Sequence, residues 1–214
     1  MQLIDLLLHI PNFLSSEECQ ILIDAFNCRE EDEWRYEGCT HAIHGEPVMS
    51  TFRSIVLADP EDEAYQLVYS STEKMINKYH DYLSTFNAFH KNIKRAFKYS
   101  HEHRLMKYYP GSWIHPHTDS GVHDPWVYGS CSFNLNDEYT GGDFVFFNGK
   151  HRLKLGKGDA IIWPADYFWV HQVEEVQTGI RYSANSFLQC LPQEYKMNLV
   201  NSINHSHPGA YDIK

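Results

Sequence analysis

From His101 onward the chain is a series of short β-prone runs, each closed by a turn signal, and that pattern leaves few folds open. Extended segments are predicted near 103–109, 113–118, 127–136, 143–147, 151–155, 159–163, 168–173 and 180–190. Asn148-Gly149, between Phe144-Val145-Phe146-Phe147 and Arg152-Leu153-Lys154-Leu155, predicts a two-residue hairpin, because both central positions of such a turn require positive φ. Gly141-Gly142 and Gly156-Lys157-Gly158-Asp159 mark further turns. Strands this short, following one another without intervening helices, suit a jelly-roll or related sandwich rather than a βαβ sheet.

The first third reads differently. Ser15 and Glu18 form a capping box behind Phe13-Leu14, and a helix to about Asn27 would place Cys19, Leu22, Ile23 and Phe26 on one face. Asp59-Pro60 offers a second start, an N-cap followed by proline at the first helical position. Behind it Ala64, Leu67, Val68, Met75, Ile76, Tyr79, Leu83 and Phe86 recur at helical spacing, which predicts a helix over about 60–88. Between the helices, Arg29 to Thr51 is polar and charged, a candidate mobile loop; the lid candidate extends over 29–58. The expectation is one α+β domain over 1–214: residues 1–100 as mainly helical support, 101–192 as a double-stranded β-helix (jelly-roll) core and 193–214 as a tail.

Composition narrows the function classes. Lys+Arg is 18 against Asp+Glu 28, a formal charge of −10, which argues against a nucleic-acid partner. The N-terminal run lacks a basic segment and is interrupted by Asp5, so no signal peptide is read, and no stretch reaches the ~20 apolar residues of a spanning helix. Five cysteines, Cys19, Cys28, Cys39, Cys131 and Cys190, are odd in number and scattered, which favours a reducing, cytoplasmic setting over a disulfide framework.

The 14 histidines outnumber the 12 glycines, and the question is which of them form a site. His117-Thr118-Asp119 is a His-x-Asp; in extended chain both side chains point the same way and can grip one metal ion. A catalytic metal needs a third ligand, from His123, His151, His171, His205 or His207. His151 has Ile161 ten residues on and is set aside; His205 and His207 lie in a polar tail; His123, with Asp124, lies in a loop that could border substrate. His171 stands out because Arg181 follows ten residues later, across a turn at Gln177-Thr178-Gly179. Two histidines and a carboxylate are the donor set of non-haem Fe(II) oxygenases. A guanidinium fork at Arg181, with Ser183 on the same strand face, suits a carboxylate, the group that an oxo-acid such as 2-oxoglutarate presents at its far end.

Several motifs carry a resemblance. They are Tyr108-Tyr109-Pro110-Gly111, His117-Thr118-Asp119, Leu135 to Phe144 with its Gly141-Gly142, Gly158-Asp159-Ala160-Ile161-Ile162-Trp163-Pro164, His171-Gln172-Val173 and Gly179-Ile180-Arg181-Tyr182-Ser183. In this order and spacing they resemble the Fe(II)/2-oxoglutarate-dependent dioxygenases, in particular the prolyl 4-hydroxylase-like branch, and Ile10 to Cys19 resembles that branch's N-terminal segment. The resemblance implies iron ligands His117, Asp119 and His171. It implies Arg181 as anchor for the far carboxylate of 2-oxoglutarate, with Tyr108 donating to the same group and Ser183 assisting. It implies Fe(II), 2-oxoglutarate and O2 as cofactor and co-substrates, with ascorbate a further candidate. The activity implied is C–H hydroxylation with release of succinate and CO2, on a peptidyl proline first and on a free amino acid or other small molecule as the alternative. Arginine at the anchor departs from the lysine of many prolyl 4-hydroxylases and loosens the prolyl assignment. Asp119 favours hydroxylation over halogenation, for which related enzymes carry a small residue there. The second arginine that nucleic-acid demethylases carry is missing from Arg181 to Phe187. His115 and Trp126 are the candidate substrate contacts. The reading from another class is a non-catalytic, cupin-like metal- or ligand-binding module.

Overall fold

The computed structural model describes residues 1–29, 35–40, 47–86, 93–121 and 126–190. Helix α1 spans Ser16–Asn27 and opens on the predicted box: Glu18 N–H donates to Ser15 Oγ at 3.1 Å, and Ser15 N–H donates to the Glu18 carboxylate at 2.7 Å. Two backbone donors left over at the helix start are thereby satisfied. Helix α2 spans Glu63–Ser84 and starts later than expected. Asp62 caps it, accepting from Ala64 N–H at 2.8 Å, while Asp59 is spent on a local turn, accepting from Glu61 N–H at 2.9 Å. It also ends earlier; residues 87 and 88 lie outside the described residues.

Thirteen strands complete the described chain: β1 (Leu8–Ile10), β2 (Arg35–Thr40), β3 (Pro47–Val56), β4 (Tyr99–Tyr108), β5 (Ile114–His117), β6 (Val127–Asn134), β7 (Tyr139–Gly141), β8 (Phe144–Phe146), β9 (His151–Leu153), β10 (Ala160–Pro164), β11 (His171–Val173), β12 (Val176–Gly179) and β13 (Arg181–Gln189). A large sheet has the order β1-β10-β6-β13-β4-β3-β2, and a small sheet the order β5-β11-β8-β9; β12 and β7 form a separate pair. Neighbours are antiparallel and the core strands alternate between the two sheets, the jelly-roll arrangement.

Residues 1–100 supply strands as well as the supporting helices α1 and α2: β1 and β3 add to the large sheet on opposite sides and β2 extends it. Two expectations need correction. The segment read as a loop or lid over 29–58 is a strand pair where it is described, continuing the sheet through Arg53↔Lys107 and Ile55↔Leu105; residues 30–34 and 41–46 lie outside the described residues. The Asn148-Gly149 hairpin forms with a four-residue loop, since Phe146 pairs with His151; Phe147, Asn148 and Gly149 all have positive φ. The expected tail, 193–214, lies outside the described residues.

The helices cover one face of the large sheet, packing Leu22, Phe26, Val68, Met75 and Tyr79 against Leu105, Phe133, Ile162 and Ala184. The other face meets the small sheet around Met106, Tyr108, Phe144, Phe146, Ile161 and Trp163. Alternation assigns the side chains of β13. Ala184 and Ser186 turn to the helices, where Ser186 Oγ lies 2.7 Å from Thr72 Oγ1, so Arg181, Ser183 and Asn185 turn inward between the sheets. At Gly158 φ is +79°, and an added Cβ would meet the Leu14 carbonyl oxygen at 2.4 Å, so the predicted turn there needs glycine.

Candidate metal centre

His117 ends β5 and His171 begins β11, and the two are direct cross-strand partners in the small sheet. Asp119 lies two residues beyond His117. The ligand atoms of the three residues all fall within 4.8 Å of one another. His117 Nε2 is 3.4 Å from Asp119 Oδ1, and His171 Nε2 is 3.5 Å from Asp119 Oδ2. Each Nδ1 faces a backbone oxygen, His117 that of His115 at 2.7 Å and His171 that of Trp169 at 3.0 Å. An Nδ1–H donated to a carbonyl fixes the tautomer and leaves the Nε2 lone pair for a metal. Ser130 Oγ donates to Asp119 Oδ2 at 2.5 Å and holds the carboxylate in place. Three such ligands leave positions open on an octahedral ion.

Asp119 and His171 are held in the protonation states that ligation needs. Burial alone would raise the Asp119 carboxyl, but His171, His117 and the Ser130 hydroxyl outweigh it and hold the group well below the usual carboxylate range. Burial pushes His171 down to about 4, so it is neutral near pH 7. Burial also acts to lower His117, but its hydrogen bond to Asp119 prevails and the net shift is upward.

Arg181 opens β13 opposite Tyr108 and is only 1% exposed. Its Cζ lies 4.7 Å from the Tyr108 ring centroid and 5.4 Å from that of Phe144. None of its three guanidinium nitrogens has a hydrogen-bond partner among the described residues. A buried cation with no acceptor is costly, so the pocket is built for an anion that these side chains do not supply. The Ser183 hydroxyl and the Trp163 indole N–H are likewise buried without partners. Trp163 also stands edge-on to His171, at 5.1 Å between ring centroids, and to Phe144 at 5.8 Å. Through Phe144 the anion pocket and the metal group thus share one wall. The Tyr108 hydroxyl is directed at Met106 Sδ at 3.5 Å.

The expected substrate contacts, His115 and Trp126, are not among the three residues whose ligand atoms converge. The His115 ring packs on Trp113, 3.6 Å between centroids, and lines a cleft with Pro116, Gln172 and Glu174. The same cleft also takes in Ile114 and Val173, which pack in the core between the sheets. Trp126, half-buried, accepts from Cys190 N–H at 3.2 Å at the joined ends of β6 and β13. His123 and Asp124 lie outside the described residues, as do His205 and His207. His151 sits on the edge strand β9. Ser130 was not legible as a site residue. Its only signal is that Ser130, Ser132 and Asn134 alternate as polar residues along a strand that is otherwise core.

Residues 103–189 match the family model described as the 2OG-Fe(II) oxygenase superfamily. Over those residues, 87 of the 214, the sequence is similar to that superfamily. Among curated oxygenase relatives, a PKHD-type hydroxylase of Acinetobacter baumannii is 33% identical over 82 residues, 36% of this chain and 35% of that protein. The chain therefore matches about a third of the length of that relative. A PKHD-type hydroxylase of Burkholderia ambifaria is 26% identical over 196 residues, 87% of this chain and 79% of that protein. Among solved structures, the prolyl hydroxylase of Trichoplax adhaerens in complex with a hypoxia inducible factor peptide fragment aligns with a TM-score of 0.63 at 15% identity, covering 90% of this chain and 86% of that one. This likeness is one of fold, and it matches the jelly-roll traced above. Fe(II), 2-oxoglutarate and O2 are the reactants that the superfamily implies. No helix among the described residues is long and apolar enough to cross a membrane.

Proposed function

We propose that this oxygenase hydroxylates a substrate C–H, with a peptidyl proline as the substrate. His117, Asp119 and His171 hold Fe(II), and Arg181 anchors the far carboxylate of 2-oxoglutarate with Ser183 and Tyr108 beside it. The observation that carries the reading is the pairing of a two-histidine, one-carboxylate group with a buried guanidinium that has no acceptor among the described residues, on one continuous pocket wall. When bound, iron and 2-oxoglutarate supply the oxidising chemistry, consuming O2 and releasing succinate and CO2.

The chain's own residues position and protect. The carbonyls of His115 and Trp169 orient the two imidazoles, and Ser130 fixes Asp119. Arg181 neutralises and orients the co-substrate through a two-pronged contact. Phe144, Phe146 and Trp163 exclude water around the group. Hydroxylation is supported by the name of the PKHD-type relatives, and a peptide substrate by the peptide held by the Trichoplax protein. The net charge of −10 supports a partner other than nucleic acid. Ascorbate, as the reductant that keeps iron ferrous, and a reducing, cytoplasmic setting belong to the same proposal.

The test is succinate release from 2-oxoglutarate with Fe(II) and ascorbate, with mass spectrometry for the gain of one oxygen atom on proline-containing peptides and on free amino acids. Peptide-dependent turnover and an oxidised proline are expected. Iron bound with no succinate formed on any substrate would instead favour the cupin-like binding module.

A further inference from the structure

We infer that Arg104 and Asn185, side by side on the inner face of the large sheet, form a second carboxylate-binding subsite, one that takes a carboxylate of the primary substrate. The inference rests on the oxygenase reading above for the identity of the pocket, but not for its own geometry.

Asn185 on β13 is the cross-strand partner of Arg104 on β4 and, on its other side, of Ser132 on β6. Both residues turn away from the helices. Leu105 and Ala184 belong to the helix-facing core, and the His103 ring packs against Tyr65 and Tyr69 of α2. The two residues therefore lie on the same inner face as Met106, Tyr108 and Arg181, two on-face positions further along β13 than Arg181.

The chemistry of this row is one-sided. Ser132 Oγ donates to Asn185 Oδ1 at 2.9 Å, which uses the amide's acceptor and leaves its NH2 with no partner among the described residues. Arg104 can only donate. Its guanidinium lies 5.1 Å over the Phe187 ring, which holds the planar fork in one attitude, and its side chain is 17% exposed. One acceptor beside it is Glu102, ion-paired to Arg104 and more exposed than it. Glu102 sits in a β-bulge: Asn185 pairs with Arg104 but Phe187 pairs with His101, so β4 carries one residue more than β13 there. Its φ is +48°, a left-handed conformation that a non-glycine residue adopts at a cost. A strained carboxylate thus occupies one edge of a fork that also has an amide donor beside it. An incoming carboxylate would meet both donors and compete with Glu102.

The position favours the primary substrate over the co-substrate as the source. Four residues of β13 separate Arg181 from Asn185, about 13 Å of strand. A five-carbon diacid anchored at Arg181 is shorter than that.

The test uses the full chain loaded with Mn(II) and titrated by calorimetry with 2-oxoglutarate, then with N-acetyl-L-proline and N-acetyl-L-prolinamide, which differ in one carboxylate. Tighter binding of the acid by about tenfold or more is expected in the wild type. Arg104→Gln and Asn185→Ala should each erase that preference, and Glu102→Gln should widen it, with the affinity for 2-oxoglutarate unchanged in all three. Widening is an outcome that a merely structural role would not produce; circular dichroism and thermal melting check that each variant folds. Equal or absent binding of acid and amide in the wild type, or an acid preference that survives Arg104→Gln, overturns the proposal. So does loss of 2-oxoglutarate affinity in Arg104→Gln, which would give the pair to the keto-acid end of the co-substrate. If the wild type takes up neither Mn(II) nor 2-oxoglutarate, the oxygenase reading fails, and the acid-against-amide comparison on the metal-free chain still decides the subsite.

Discussion

His117 and His171 face each other across β5 and β11 with their ring centroids 4.3 Å apart, and each has its far nitrogen turned to a backbone carbonyl. The metal group is therefore built by strand pairing, and its ligands can be removed without dismantling a loop. Asp119→Ala and His171→Ala should each abolish Fe(II) or Mn(II) binding, read as metal content after dialysis, while far-ultraviolet circular dichroism stays as in the wild type. Metal retained in either variant would refute the ligand assignment.

Ser130 tests the support behind the ligands. Ser130→Ala removes the hydroxyl that orients Asp119. Loss of such a supporting group should weaken metal binding by roughly 10–100-fold without loss of fold. Calorimetric titration with Mn(II) measures it, and an unchanged affinity would show that Asp119 is held by the histidines alone.

Arg181 carries a prediction of stability with two signs. With no acceptor around its guanidinium among the described residues, replacement by an apolar residue of similar length removes an uncompensated buried charge. Arg181→Met should unfold at a higher denaturant concentration than the wild type in the absence of 2-oxoglutarate, by about 1–4 kcal/mol. Saturating 2-oxoglutarate should raise the wild type alone, by about 2.7 kcal/mol at a hundredfold excess over Kd. A variant less stable than the wild type without ligand would mean that Arg181 is satisfied in solution.

His103 sets an acid limit on the fold. It is fully buried against Tyr65 and Tyr69, and burial, reinforced by His101, lowers it from 6.5 to about 4. Between those values the unfolded chain binds a proton that the native state refuses. Stability from this group is complete above about pH 6.5, falls as pH drops toward 4, and levels off below. The loss is on the order of 3 kcal/mol. Urea unfolding at a series of pH values measures it, and His103→Phe should flatten the slope in that window; an unaltered slope would assign the acid sensitivity elsewhere.

What could be read in advance was mostly local. The Ser15–Glu18 box and the His-x-Asp spacing are set by contacts within a few residues, and they appear as expected. The expected hairpin from His171 to Arg181 is not formed: β11 and β13 lie in different sheets, and β12 between them pairs with β7. Strands β2 and β3 were not legible. Arg35 to Thr40 carries charge and glycine, and its pairing with β3 depends on a neighbour that only tertiary structure supplies. Ser130 and Asn185 were hidden for the opposite reason: a serine or asparagine on a core strand has no pattern until the register shows what lies opposite. The start of α2 slipped because two aspartates compete as caps, and Asp59 closes its own turn first.

Strand β1 has a role in solution behaviour that reaches past the pocket. It is only three residues long, lies along β10 at the margin of the large sheet, and is followed at once by Pro11, which has no N–H to offer. A full-length β10 edge would be a template for another chain, whereas a short strand ending in proline gives an incoming strand little to pair with. The N-terminal segment thus acts as a guard against edge-to-edge aggregation, on the same strand whose Trp163 walls the metal group.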